Sequence, residues 1–174
     1  MKRIIFIFLI LILSCNGNKK TDKTANEQNT QSEFKLAKSD YTVLTYQPKW
    51  YWMFENVEPA ELSESELIDI EKILRIAIKE NNDSRKIALK NNPNKELFES
   101  RYLLKIDGFK RQYVPIINNE GQKEVWINLF CDEHGMEYWK NELFEVEDGG
   151  NCYYNLKINL ETKKYYDLSI NGYA

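Results

Sequence analysis

The hydrophobic period of this chain changes once, and that change decides its fold class. Leu67, Ile70, Ile73, Leu74, Ala77 and Ile78 recur at helical spacing and share one face. Ser63-Glu64-Ser65-Glu66 supplies a capping box that starts a helix near Glu64, and Leu62 is placed to staple onto Leu67. Asn81-Asn82 and Asp83 are expected to end it, while residues 84–100 carry no clear period. Beyond residue 100 the spacing becomes two. Residues 102–106, 111–117, 123–131, 152–160 and 164–170 read as strands. Asn118-Asn119-Glu120-Gly121 is hairpin-turn chemistry between two of them, with a three-residue and a four-residue loop both open and giving opposite face pairings. In the last hairpin, a loop of Glu161-Thr162-Lys163 sets Leu160 opposite Lys164, Ile158 opposite Tyr166, Leu156 opposite Leu168 and Tyr154 opposite Ile170. The other face then has Lys157 opposite Asp167. Upstream, Trp50-Tyr51-Trp52-Met53-Phe54 is an apolar run of strand length. These elements predict an α+β domain over residues 41–174, with an amino-terminal amphipathic helix packed on a four- to five-stranded antiparallel sheet.

The first fifteen residues are of another kind. Lys2 and Arg3 precede an unbroken apolar run over residues 4–13, which at ten residues is half of the roughly 20 that a spanning helix needs. The run ends in Ile12-Leu13-Ser14-Cys15, a branched apolar residue, a spacer, a small residue and a cysteine. This string resembles the lipobox of bacterial lipoproteins. The resemblance implies a signal peptide over residues 1–14, diacylglyceryl transfer to the Cys15 thiol, cleavage before Cys15 and acylation of the new amino terminus. Two acyl chains make an anchor stable enough to need no membrane-spanning segment, so the lipid bilayer is the first expected partner. Asn16, rather than Asp, follows the cysteine; where the aspartate retention rule applies, that resembles sorting to the outer membrane. Residues 16–40 then hold five Lys and four acidic residues against only Ala25, Phe34, Leu36 and Ala37 as apolar positions. Such a segment buries too little to offset its ordering entropy, so residues 15–40 are expected to be a lipidated flexible tether in the cell envelope.

Charge narrows the function classes. The chain carries 24 basic and 27 acidic residues, and loss of Lys2 and Arg3 with the leader would take the net charge from −3 to about −5. There is no broad basic surface of the kind nucleic-acid binding requires. A single histidine, His134, excludes a multi-His metal centre within one chain. No P-loop, dinucleotide fingerprint, Gly-x-Ser-x-Gly elbow or zinc-ligand spacing occurs, so no cofactor is expected.

The helix-then-meander order resembles the cystatin-like fold, which NTF2-like domains also use, and the ending Asn171-Gly172-Tyr173-Ala174 resembles that of cystatin-like bacterial lipoproteins. The inhibitory loop of cystatins reads Gln-x-Val-x-Gly, whereas Gln112-Tyr113-Val114-Pro115-Ile116 lacks the glycine and is stiffened by proline, so protease inhibition is not implied.

Four candidate features remain. With Cys15 lipidated, Cys131 and Cys152 form an even pair in an oxidising compartment. Adjacent antiparallel strands would bring them together as a disulfide, whereas an extra strand over residues 143–146 would separate them as free thiols. Cys131-Asp132-Glu133-His134 crowds a thiol, two carboxylates and the imidazole, but two acidic neighbours disfavour a thiolate and Gly135 favours a polar turn. Residues 132–151 hold seven acidic residues against Lys140, with no EF-hand spacing. Finally, Trp126, Phe130, Tyr153 and Tyr165 share the parity opposite the presumed core, interleaved with Asn128, Asn155, Asn159 and Lys157. Left open to solvent, this face would dock an envelope protein or stack on a carbohydrate. The competing reading is that residues 50–54 or 132–151 cover it. The leading expectation is a non-enzymatic binding or accessory domain. An NTF2-like enzyme using His134, Asp167 and tyrosines in a pocket between helix and sheet, or an immunity-type inhibitor, is the alternative.

Overall fold

The computed structural model describes residues 36–173; the leader, Cys15 and the tether as far as residue 35 lie outside the described residues. The fold is α+β. In chain order the elements are β1 (Tyr41–Val43), β2 (Glu58–Pro59), α1 (Glu64–Ala88), α2 (Lys95–Tyr102), β3 (Lys110–Ile117), β4 (Lys123–Phe130), β5 (Tyr153–Asn159) and β6 (Lys164–Ile170). One open sheet runs β1-β3-β4-β5-β6, antiparallel except that β1 lies parallel to β3. β2 pairs with Ile116 and Ile117 of β3, so two short strands share that strand's outer edge and keep it from pairing with another chain.

Helix α1 begins as its capping box requires: Glu66 N donates to Ser63 Oγ at 3.3 Å and Ser63 N donates to Glu66 Oε2 at 2.8 Å. It does not stop at Asn81-Asn82-Asp83 but continues to Ala88. Asn and Asp break helices by bonding to nearby backbone, and here their side chains are engaged elsewhere. Asn82 donates through Nδ2 to Leu104 O at 2.9 Å and accepts from Leu104 N at 2.8 Å, while Asp83 pairs with Lys79 one turn back at 2.6 Å. The expected strand over 102–106 is absent for the same reason. Tyr102 closes α2, and the segment after it takes its backbone partner from Asn82 rather than from a strand, while Leu104 and Ile106 are still buried. Residues 50–54 are likewise not a strand. Pro48 starts a 3-10 turn through Trp50, Met53 N closes a further turn on Trp50 O at 2.9 Å, and Trp50, Met53 and Phe54 are buried.

The sheet is covered on both faces. On one side α1 lays Leu67, Ile70, Ile73, Leu74, Ala77 and Ile78 against Tyr113, Ile127, Leu129, Tyr154, Leu156 and Ile158. Polar ties reinforce the contact: Lys123 Nζ lies 2.7 Å from Glu66 Oε1, and Tyr165 Oη donates to Glu80 Oε2 at 2.7 Å. On the other side residues 44–57 and 132–151 form the cover.

The hairpin between β3 and β4 closes with Asn118 N donating to Gln122 O at 2.9 Å, leaving residues 119–121 as the loop, and Gly121 takes the positive φ of 75°. The β5–β6 hairpin departs from expectation near its turn. Asn159 pairs with Lys164, Ile158 with Tyr165 and Lys157 with Tyr166, one residue out of step with a three-residue loop. A bulge on β6, where Asp167 adopts φ 52°, then restores Asn155 opposite Ser169 and Tyr154 opposite Ile170. The bulge turns Tyr165 toward the helix and leaves Tyr166 on the far face. Lys157 still reaches Asp167, Nζ to Oδ2 at 3.0 Å.

Candidate functional site

Of the two readings of the aromatic face, open or covered, the structure shows the covered one, with residues 44–57 and 132–151 packed over it. Trp126 is 3% exposed and Phe130 0%, and Tyr153 is also buried. Trp126 packs with Val114, Ile116, Leu44, Trp50, Met53 and Phe54; Phe130 and Tyr153 pack with Trp139 and Phe144. Tyr165 is not on this face at all, because the β6 bulge sends it to the α1 side, where it packs against the helix core. The four residues therefore form no docking surface.

The cover over residues 132–151 is fastened through amide chemistry that begins in the sheet. Gln112, Asn128 and Asn155 are consecutive partners across β3, β4 and β5, so their side chains form one row on the far face. Gln112 is wholly buried and fully used: Nε2 donates to Trp139 O at 2.6 Å and Glu142 O at 2.7 Å, and Oε1 accepts from Phe144 N at 2.9 Å and Asn128 Nδ2 at 3.1 Å. Asn128 Nδ2 also donates to Phe144 O at 2.7 Å. Asn171 Nδ2 donates to Val146 O and Asp148 O, and Thr42 Oγ1 donates to Lys140 O at 2.9 Å. At the base of this segment Cys131 and Cys152 are joined in a disulfide, Cα atoms 5.1 Å apart, and residues 143–146 do not form a strand between β4 and β5. Closing that loop, 21 residues in sequence separation, contributes about 3 kcal/mol in the chain-entropy model. Exchanging both cysteines for serine is thus expected to lower stability by about that amount, read as a shift of the urea midpoint; an unshifted midpoint would leave the whole task to the amides.

His134 lies at the start of the same segment. Its Nε2 is 2.8 Å from Tyr153 Oη and its Nδ1 3.3 Å from Asp132 Oδ2. A carboxylate, an imidazole and a phenol in line have the form of a proton relay. The phenol is poorly suited to one: burial, and after it the Asp132 charge, pushes its pKa above the ordinary tyrosine value, and its hydroxyl is engaged with Asp132 O at 3.1 Å. The Cys131 sulfur is spent in the disulfide. The group pins the loop. Asp167 is elsewhere, paired with Lys157, so the residues of an NTF2-like reaction centre are not brought together.

Between α1 and the sheet lies side-chain packing with one polar insertion. Arg111, 1% exposed, donates through Nη1 to Phe109 O at 2.9 Å and through Nη2 to Ile106 O at 3.1 Å. Its Nε is 3.0 Å from Glu71 Oε1, a charge contact off the hydrogen-bond direction. Tyr113 Oη donates to the same Glu71 oxygen at 2.8 Å; burial, and then the Glu71 charge, holds this hydroxyl un-ionised well above the usual range.

The two covers leave an opening over the amide row. This cleft, about 110 Å³, has Trp126, Asn128, Tyr153 and Asn155 as its floor, with Trp52 on one wall, residues 144–146 on the other and Asn171 at an end. Trp52 is 50% exposed and meets Trp126 edge-to-face at 5.7 Å. Among the described residues no three His, Cys, Asp or Glu side chains converge as metal ligands, and no helix is long and apolar enough to cross a membrane. Of the cleft residues, Trp126, Asn128, Tyr153 and Asn155 stand out in the sequence through their shared parity. Trp52, Phe144 and Asn171 do not, since nothing local distinguishes a residue that a loop folds over a sheet from one that lies within it.

Compared with family models, curated proteins and solved structures, the chain matches none of them.

Proposed function

We propose that this chain is a lipid-anchored protein of the cell envelope whose folded part, in a cystatin-like arrangement, is a non-enzymatic binding domain. The leader carries the reading: Lys2-Arg3, ten apolar residues and Ile12-Leu13-Ser14-Cys15 stand in the order that lipid transfer and cleavage require. Asn16 after the cysteine favours the outer membrane. A long helix followed by an antiparallel meander supports the cystatin-like arrangement, with β1 and β2 as additions to the edge of β3. Binding rather than chemistry is supported by the cleft, whose walls offer aromatic rings, amides and the Glu145 carboxylate. Cys15→Ser tests the anchor. The variant is expected to leave the membrane fraction and to take up no radiolabelled palmitate; labelling equal to wild type would refute the reading.

A further inference from the structure

We infer that the cleft beside Trp52 binds a single saccharide ring, an assignment that rests on the binding-domain reading above. Its hydrogen-bonding groups are placed and left unused. Asn128 is 8% exposed, both bonds from its Nδ2 go to Gln112 and Phe144, and its Oδ1 has no partner among the described residues. Asn171 is held the same way, with Nδ2 on Val146 O and Asp148 O and Oδ1 without a partner among the described residues. Because each amide nitrogen is fixed by backbone carbonyls or by Gln112, each oxygen is fixed as an acceptor. Among the described residues, Asn155, the open end of the amide row, has no side-chain hydrogen bond, Glu145 has no ion pair, and the indole N–H of the buried Trp126 has no acceptor.

The residues that line the cleft thus carry free acceptors on Asn128, Asn171 and Glu145, a free donor on Trp126, and both on Asn155. A ligand that meets this mixture must donate and accept at several neighbouring points, as sugar hydroxyls do. An ammonium would satisfy the oxygens and leave the Trp126 and Asn155 N–H groups without acceptors. A phosphate or carboxylate would face Glu145 and two amide oxygens. Trp52, half exposed at the mouth, supplies the flat apolar surface on which the C–H face of a pyranose packs. At about 110 Å³ the cleft is well below the roughly 300–1,000 Å³ of cofactor-sized pockets, which limits it to one ring.

The test uses the full-length chain in a polyoxyethylene detergent, which brings no sugar of its own, titrated with chitotriose, maltotriose and cellotriose and followed by tryptophan emission and calorimetry. At least one trisaccharide should shift the emission below about 10 mM, the weak end of single-ring recognition. Trp52→Ala and Asn155→Ala should each weaken that binding about tenfold, the scale of one lost stacking or paired contact, without changing the melting temperature. No shift with any of the three, or binding unchanged in Trp52→Ala, would overturn the assignment. Choline is the control: a shift with choline alone, lost in Trp52→Ala, would overturn the saccharide and leave the binding-domain reading standing.

Discussion

Trp126→Ala is expected to destabilise the fold by about 3–5 kcal/mol, the cost of deleting a large aromatic from a core. The residue sits mid-strand in β4, flanked across the sheet by Val114 and Lys157, and the turn of residues 48–54 is folded down on it. Truncation would leave a void under Trp50, Met53 and Phe54 that the sheet cannot close, since their backbone turn is held by its own hydrogen bonds. Urea unfolding reads the effect, with Trp52→Ala as the internal comparison: half exposed, it should change stability by less than about 1 kcal/mol. Comparable losses in both variants would mean that the cleft wall is core; a negligible loss for Trp126→Ala would mean that the far face is open after all.

Arg111→Met is expected to cost a similar amount, about 3–5 kcal/mol, because it keeps most of the volume but strands the partners. Glu71 would lose its counter-charge while still accepting from Tyr113, and the carbonyls of Ile106 and Phe109 would lose their donors. Those carbonyls belong to the segment that enters β3, so the loss should loosen how the α2–β3 connection seats on the sheet. Adding Glu71→Gln to Arg111→Met should recover part of the stability, since the uncompensated charge is then gone. Additive losses in the double variant would show that Arg111 acts through packing alone.

The parts of the fold that are legible in the sequence are those whose side chains answer to one partner at a time. Strands β3 to β6 alternate because each has a helix-packed face and a second face, and the α1 start is written in Ser63 and Glu66, which cap each other locally. The failures share a cause. Asn82 ends a helix in isolation but bonds Leu104 across the fold, and residues 50–54 have strand composition but follow Pro48 into a turn that packs on Trp126. Tyr165 was assignable to a face only if the hairpin kept one register, and the bulge at Asp167 breaks it. The same holds for the candidate site. The amide row Gln112–Asn128–Asn155 is visible once strand register is known, but its meaning lies in which amides the loop consumes, and that depends on how residues 132–151 fold back.

The acidic stretch 132–151 also changes character when seen folded. It is a cover with Trp139 and Phe144 buried in it and most of its acidic side chains exposed, while Glu133 pairs with Lys110, Asp132 meets His134 and Glu145 lines the cleft. Lys110 beside Glu133 lowers that carboxyl below its usual value, so the pair persists into more acid solution than an ordinary glutamate would allow. The membrane part of the proposed function rests on Cys15. Mass spectrometry of the chain isolated from membranes bears on it most directly. The expected species starts at Cys15 and carries a diacylglyceryl group on its sulfur and an acyl chain on its amino terminus. A chain that retains Met1, with a Cys15 thiol open to alkylation, would contradict it.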